Sequence, residues 1–441
     1  EEFFKEYVQK RKPVIIDGVV PGLDISNFQP GSIVDTLSYD KPLLVEKKHK
    51  GGFGSGTQRI KMKFDELMGK LKQGDDYYLT TQYEENDPDV EKNIEISDSE
   101  EDDEGEEEYD ADTLDLNNGA DFSDTDSIDM NDLHDDFDDM SESDDDEAEE
   151  TIRRVKELVQ KPLTNLIKTR KLPLRPKILE NLAPQQINLW MGSSSSKTPK
   201  EKSINIDPKA PDLGLGRQIF GGGVSSGLHH DHSDNLYVPI KGSKRFTIFA
   251  PSDGQNLYTV GDIRKIYKTG VIDYKPNEKA PLWRPVRDDG AIVTEAYKWA
   301  KINHPKFEQI YDVEQMEQEV EDEDEQLNRA VPDVGLDPPS FSKIPAAVVH
   351  LDKIKDDKLR EKLTKLAQKR WPKFFNCQSL TTDLKPGQML YLPSGWFHEV
   401  SSFGDLKSDN IHIALNYWYS PPNGDKKAYK DKYWKDDYKR T

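Results

Sequence analysis

Short apolar runs, each closed by Gly, Pro or a polar cluster, set the rhythm of this chain. PVIIDG (13–18), KPLLVE (41–46), YYLTTQY (77–83), INLWMG (187–192), NLYVPI (235–240), KRFTIFAP (244–251), QMLYLP (388–393) and HIALNYWY (412–419) all have strand length and composition. FFKEYVQK and FDELMGKLKQG read as helices placed before strands. TEAYKWAKINHPKF suits a helix, and DKIKDDKLREKLTKLAQKRW suits an amphipathic one with Ile354, Leu359, Leu363 and Leu366 on one face. The stretches 193–222 and 274–345, the latter with EQMEQEVEDEDEQ and VPDVGLDPPS, read as irregular. Many short strands without regular βαβ alternation predict an antiparallel sandwich or barrel with helical additions. No internal repeat is visible.

Charge changes this picture in one place. The 441 residues carry 61 Lys+Arg against 84 Asp+Glu, a net charge of −23. Residues 95–150 hold 29 acidic residues in 56 and no Lys or Arg, so the remaining chain is mildly basic. Such a segment cannot bury enough apolar surface to offset chain entropy, and disorder is expected. It is either a solvated insertion or an electrostatic clamp for a basic partner, such as a histone, a ribosomal protein or another Lys-rich substrate. It would repel phosphates, so nucleic acid is disfavoured as the main partner.

One Cys excludes an intramolecular disulfide and a Cys-based zinc site. No run of about 20 apolar residues exists to span a membrane. Glu1 to Lys5 lack the character of a signal peptide. Cytoplasm, nucleus or both are the expected locations. The C-terminal DKKAYKDKYWKDDYKRT reads as a frayed surface tail, with docking of a partner or second subunit as the other reading.

Candidate chemistry lies in two segments, SGLHHDHSDN (226–235) and PGQMLYLPSGWFH (386–398). On an extended strand alternate side chains share a face, so His229 and Asp231 point one way and His230 and His232 the other. His398 beside His229 and Asp231 would give two imidazoles and a carboxylate with open positions, a set that suits non-haem Fe(II). By itself the His-x-Asp pair reads more readily as a His-rich surface turn, and His230 or His232 is an alternative ligand. Lys244 follows the turn at 241–243 and enters an apolar strand, which is costly unless an anion meets it. A metal-bound organic acid would supply its carboxylate. Ser226 and Asn235 are small hydrogen-bonding groups able to hold the same acid.

With these residues in view the chain resembles the JmjC-domain, cupin-fold oxygenases that use Fe(II) and 2-oxoglutarate. The resemblance rests on FFKEYVQKRKPVIIDG, YYLTTQY, INLWMG, SSGLHHDHSDNLYVPIKGSKRFTIFAPSD, KPGQMLYLPSGWFHEV and IALNYWY, which follow the family's order. It implies a mainly β chain with helical additions, built on a double-stranded β-helix (jelly-roll) core with long, partly disordered acidic insertions. Carried over by position, His229, Asp231 and His398 would bind Fe(II). Lys244 would hold the distal carboxylate of 2-oxoglutarate, helped by Ser226 and Tyr78, while Asn235 and Asn416 would line the cosubstrate pocket. Trp396 and Trp418 would pack its walls. The Leu-His-x-Asp pattern favours His229 over its neighbours. His412 shares the parity of Asn416 but is read as a structural or surface residue, and His49, His134, His304 and His350 are assigned nothing.

The implied organisation runs 1–87 as the N-terminal part of the core domain, 88–150 as the acidic insertion and 151–273 as the first half of the β-helix. An insertion at 274–345, the second half of the core at 346–425 and a tail at 426–441 follow. The implied reaction consumes O2 and 2-oxoglutarate and releases succinate and CO2, with hydroxylation of a Lys or Arg in a protein as the favoured outcome. The Asp ligand, the lack of a Cys-rich reader module and the style of the motifs support that choice. N-methyl-lysine demethylation is the alternative, and an inactive cupin scaffold that holds basic proteins is a second. Expected partners are a basic protein substrate, histone or translation-associated, and possible self-association as a homodimer.

Overall fold

The computed structural model describes residues 1–49, 51–54, 59–74, 76–82, 94–95, 154–194, 205–329, 337–405, 408–424 and 428–440. The acidic run at 95–150 therefore lies outside the described residues, apart from its first. Among the described residues the strands are, in chain order, β1 (Val14–Asp17), β2 (Leu43–Lys47), β3 (Arg59–Met62), β4 (Tyr77–Leu79), β5 (Ile94–Glu95), β6 (Pro184–Ser193), β7 (Val224–Ser225) and β8 (His229–His230). They continue as β9 (Asp234–Lys241), β10 (Ser243–Phe249), β11 (Ile263–Ile266), β12 (Ile272–Tyr274), β13 (Ser379–Leu384), β14 (Gln388–Leu392), β15 (Phe397–Phe403) and β16 (Ile411–Tyr419).

These strands form two facing sheets and a separate hairpin. The larger sheet has the order β1-β14-β9-β16-β6-β4-β2-β3-β5, and the smaller has β13-β10-β15-β7 with β8 also on β15. Every pairing in both is antiparallel except β3 with β5. The double-sheet jelly-roll architecture implied by the sequence is thus present.

A period of two sorts each strand's residues between faces. Leu236, Val238, Ile240, Ile411, Ile413 and Leu415 sit in the core behind the larger sheet, under the N-terminal third. Their neighbours Tyr237 and Ala414 turn inward to meet Phe246, Ile248, Leu384, Leu390 and Leu392 between the sheets. A third core behind the smaller sheet joins Phe249 and Phe397 to Ile344, Leu363 and Trp371. Apolar packing on both faces explains why these strands read as continuous apolar runs rather than clean alternations.

Three expectations need correction. The stretch 274–345 is not irregular throughout: beyond the helix expected from TEAYKWAKINHPKF, which occupies Val293–Asn303, helices are present at Phe307–Ile310 and Val313–Arg329. The last of these is tied down by buried Glu323, which accepts from Arg284 and from Thr294 Oγ1 at 2.8 Å. Ile354 is buried but precedes its helix, which begins only at Asp357 because the Asp356 carboxylate caps the Lys358 and Leu359 amides. The C-terminal segment is not frayed where it is described. Tyr429 is buried and its hydroxyl donates to the Ser420 carbonyl at 2.8 Å, while buried Tyr433 packs edge-on against Trp299.

Candidate metal centre

β8 and β15 pair with His229 directly opposite His398. Asp231 leaves β8 just beyond, and its carbonyl accepts from the Gly395 amide at 2.9 Å, which fixes the turn before His398. One ligand atom from each of His229, Asp231 and His398 lies within 4.8 Å of the others, the one such cluster among the described residues. His229 Nε2 is 4.0 Å from Asp231 Oδ1, and His398 Nε2 is 3.7 Å from Oδ2.

Both imidazoles are oriented from behind. His229 Nδ1 donates to the Gly227 carbonyl at 3.0 Å, and His398 Nδ1 to the Trp396 carbonyl at 2.9 Å. A carbonyl can only accept, so each Nδ1 carries the proton and each Nε2 lone pair faces Asp231. Burial, with the nearby His398 ring adding to it, drives the His229 pKa well below its ordinary value, which keeps the ring in its ligating form. Phe341 stacks on the His229 ring at 4.7 Å and 9°, and the Arg217 guanidinium lies over Phe341 at 4.8 Å. The donor set and its tautomers fit a divalent first-row metal with three sites left open.

His230 and His232 take no part in this cluster. His230 Nε2 lies 2.6 Å from the Tyr274 hydroxyl, and His232 packs on Trp283. The strand itself ends at His230, and both rings still border the cavity that the triad opens into.

The triad opens into a cavity of about 350 Å³ between the two sheets. Ser226, Asn235, Asn416, Tyr78 and Trp418 line it together with the triad. Lys244 lies behind the lining, fully buried. Its ammonium donates to Tyr78 Oη at 3.1 Å, Ser402 Oγ at 2.7 Å and His412 Nδ1 at 3.1 Å. No carboxylate contacts it among the described residues, and burial pulls its pKa from 10.5 down to about 7. A buried cation with only neutral partners favours an arriving anion. Asn235 and Asn416 each present an Oδ1 without a hydrogen-bond partner. Ser226 is already engaged, its Oγ donating to the Gly227 carbonyl and accepting from the Val400 amide. Trp396 is not part of the lining, and its Nε1 donates to the Arg11 carbonyl.

His412 is fully buried against Lys244, not at the surface, and its pKa falls well below the ordinary value through burial and then the lysine's charge. Ser402 carries no local signal of this role in the sequence, although it shares the parity of His398 along β15. His350 was assigned nothing, yet its Nε2 lies 2.5 Å from the Glu399 carboxylate on the outer face of the same strand. Ser225 Oγ donates to that carboxylate at 2.6 Å and Ser401 Oγ at 3.0 Å. Glu399 is fully buried, so His350→Ala is expected to strand a charge and cost about 3 kcal/mol of stability. Urea denaturation would show this as a lower midpoint with an unchanged slope.

Residues 1–425 match the cupin-like domain family, and the chain belongs to it. It is 27% identical to JmjC domain-containing protein 4 of Schizosaccharomyces pombe, over 96% of this chain and 83% of that one. It is also 26% identical to lysine-specific demethylase JMJ32 of Arabidopsis thaliana, over 56% of this chain and 45% of that protein. Fold, triad and relatives together are consistent with a 2-oxoglutarate-dependent oxygenase or demethylase. No helix among the described residues is long and apolar enough to cross a membrane.

Proposed function

We propose that this chain is an Fe(II)- and 2-oxoglutarate-dependent dioxygenase that hydroxylates a Lys or Arg side chain of a basic protein. The observation that carries the reading is a His-Asp-His face in the same cavity as Tyr78 and Ser402, the hydroxyls that buried Lys244 donates to. His229, Asp231 and His398 would hold the iron, which supplies O2 activation when bound. Lys244, through the hydroxyls of Tyr78 and Ser402, would anchor the distal carboxylate of 2-oxoglutarate. Asn235 and Asn416 aim amide groups at the same molecule, and Ser226 shapes the wall beside it. The overall balance is one C–H converted to C–OH, with O2 reduced and 2-oxoglutarate broken down to succinate and CO2.

Thr80, Thr81 and Ser233 give the cavity polar groups suited to a substrate cation that keeps its N–H donors. A methylated lysine has fewer. Demethylation is retained as a second reading because one relative carries that name. The complete triad weighs against a purely binding scaffold. A histone or a translation-associated protein, met in the cytoplasm or nucleus, fits the acidic run at 95–150 as a partner.

Mass spectrometry separates the readings. Incubated with Fe(II), 2-oxoglutarate and basic protein fractions, the chain should add one oxygen to an unmethylated side chain, with matching succinate. Loss of a methyl group with release of formaldehyde would move the assignment to demethylase. Succinate formation absent under all conditions in a folded, metal-loaded protein would sink both.

A further inference from the structure

The inward rows that line the metal cavity do not stop at it. β16 presents His412, Ala414, Asn416 and Trp418 inward, and the next residue of that parity is Ser420. β6 runs from Gly192 through Trp190 and Asn188 to Gln186, and β4 leads from Tyr78 through Thr80 to Gln82. All three rows end in a second cleft of about 750 Å³ that shares Trp418, His232 and Ser233 with the metal cavity.

Uncharged hydrogen-bonding groups dominate this cleft. Gln82, Gln160, Gln185, Gln186 and Ser420 line it. Parity alone would turn Gln185 outward. However, the β6–β16 register shifts between Trp418 opposite Gln186 and Tyr419 opposite Pro184, a β-bulge at Gln185. A bulge sets two residues against one, so both adjacent amides face the same space. Several polar atoms there have no hydrogen-bond partner although they are buried: Gln185 Nε2, Ser420 Oγ and the Nε1 atoms of Trp418 and Trp434. Ser420 itself is only 2% exposed. Buried polar groups are ordinarily satisfied, so a row of unsatisfied ones beside a reactive centre points to a ligand. The charges in the cleft are answered within the fold: Asp289 is bound by Arg287, and Glu157 pairs with Arg154 at 3.3 Å.

We propose that this cleft binds an extended stretch of polypeptide through its main chain, with Gln185, Gln186 and Ser420 hydrogen-bonding its N–H and C=O groups. The target side chain then passes Trp418 into the metal cavity. Amides and hydroxyls suit a peptide backbone because they both donate and accept, and they read no particular side-chain charge. The inference rests on the oxygenase reading above, and it assigns sequence-tolerant recognition of an unfolded or extended segment to that site.

The test uses the full chain with Fe(II) and 2-oxoglutarate on a synthetic peptide library with a fixed central Lys or Arg. Oxidised peptides are read by mass spectrometry. Wild type should oxidise peptides with widely different flanking sequences, and Gln186→Leu and Ser420→Ala should each raise the peptide KM about fivefold, the loss of one hydrogen bond. The pair together should raise it roughly 30-fold, with melting temperature and 2-oxoglutarate Kd unchanged. Gln160→Ala, on a different segment, guards against misfolding of the strand variants. Peptide oxidation that these substitutions leave untouched would overturn the cleft assignment and keep the oxygenase. Oxidation of folded proteins but of no peptide would overturn it too. Failure of the oxygenase reading itself would appear separately, as no succinate formed with any substrate.

Discussion

Asp231→Ala is expected to abolish metal-dependent 2-oxoglutarate binding and, with it, turnover. Asp231 is the one carboxylate of the triad, and His229 and His398 bring no charge to offset that of a divalent ion. Removing even the outer partners of a metal ligand typically costs 10–100-fold in affinity, so loss of a direct ligand should exceed about a hundredfold. The side chain makes no contact that the fold depends on, because the turn is held by the Asp231 carbonyl. The apo variant should therefore melt where wild type does. Mn(II) in calorimetry and thermal shift reads the effect: wild type should gain melting temperature with metal, and the variant should not. Metal-dependent 2-oxoglutarate binding that survives in the variant would remove the triad from the mechanism.

Lys244→Met should separate cosubstrate affinity from stability. A hydrogen bond to a charged group contributes about 1.5–3 kcal/mol, so 2-oxoglutarate affinity should fall roughly 10–150-fold. With the Lys244 pKa held near 7 by burial, the carboxylate must recruit a proton at higher pH. Wild-type affinity should then weaken about tenfold per pH unit above 7, and binding at pH 8 should take up close to one proton. Calorimetry in buffers of different ionisation enthalpy measures that uptake. The stability effect has a definite sign. The folded-state pKa is depressed below the unfolded value of 10.5, so the unfolded chain binds more protons between about pH 7 and 10.5. Stability referred to Lys244 is lowest below pH 7 and rises across that window. Comparing wild type with Lys244→Met isolates this slope, and parallel pH profiles would show that the lysine is not buried as described.

Much of this was legible because strand alternation is local. A period of two puts His229 and Asp231 on one face, and these two do join His398, although His230 and His232 also border the cavity. The eight apolar runs became strands, and the central ones, β9 and β16 among them, pack on both faces, whereas the edge strand β1 leaves Ile15 exposed. What the sequence hid depends on tertiary context. β13, SLTTDL, is an exposed edge with little apolar signal. The helix Val313–Arg329 is so acidic that its apolar stripe is faint, and the buried Glu323 contacts that hold it come from residues 284 and 294. Ser402 and His412 became meaningful only when β10 set Lys244 opposite Ser402 and the two sheets closed over it. Which of two readings a polar residue takes is decided by the partner across the sheet, and that pairing is not written locally.

The pairing of β1 with β14 sets Val14 opposite Tyr391, and β8 with β15 sets His229 opposite His398. Both ladders join segments far apart in sequence, and such closures are slow to nucleate. On a ribosome, the two imidazoles would meet only after β15 has left the exit tunnel. Until then β9 and β10 wait with unpaired edges, the kind of surface that recruits holding chaperones and that aggregates without them. A metal taken by this triad can therefore be captured only after β15 has emerged and paired with β8.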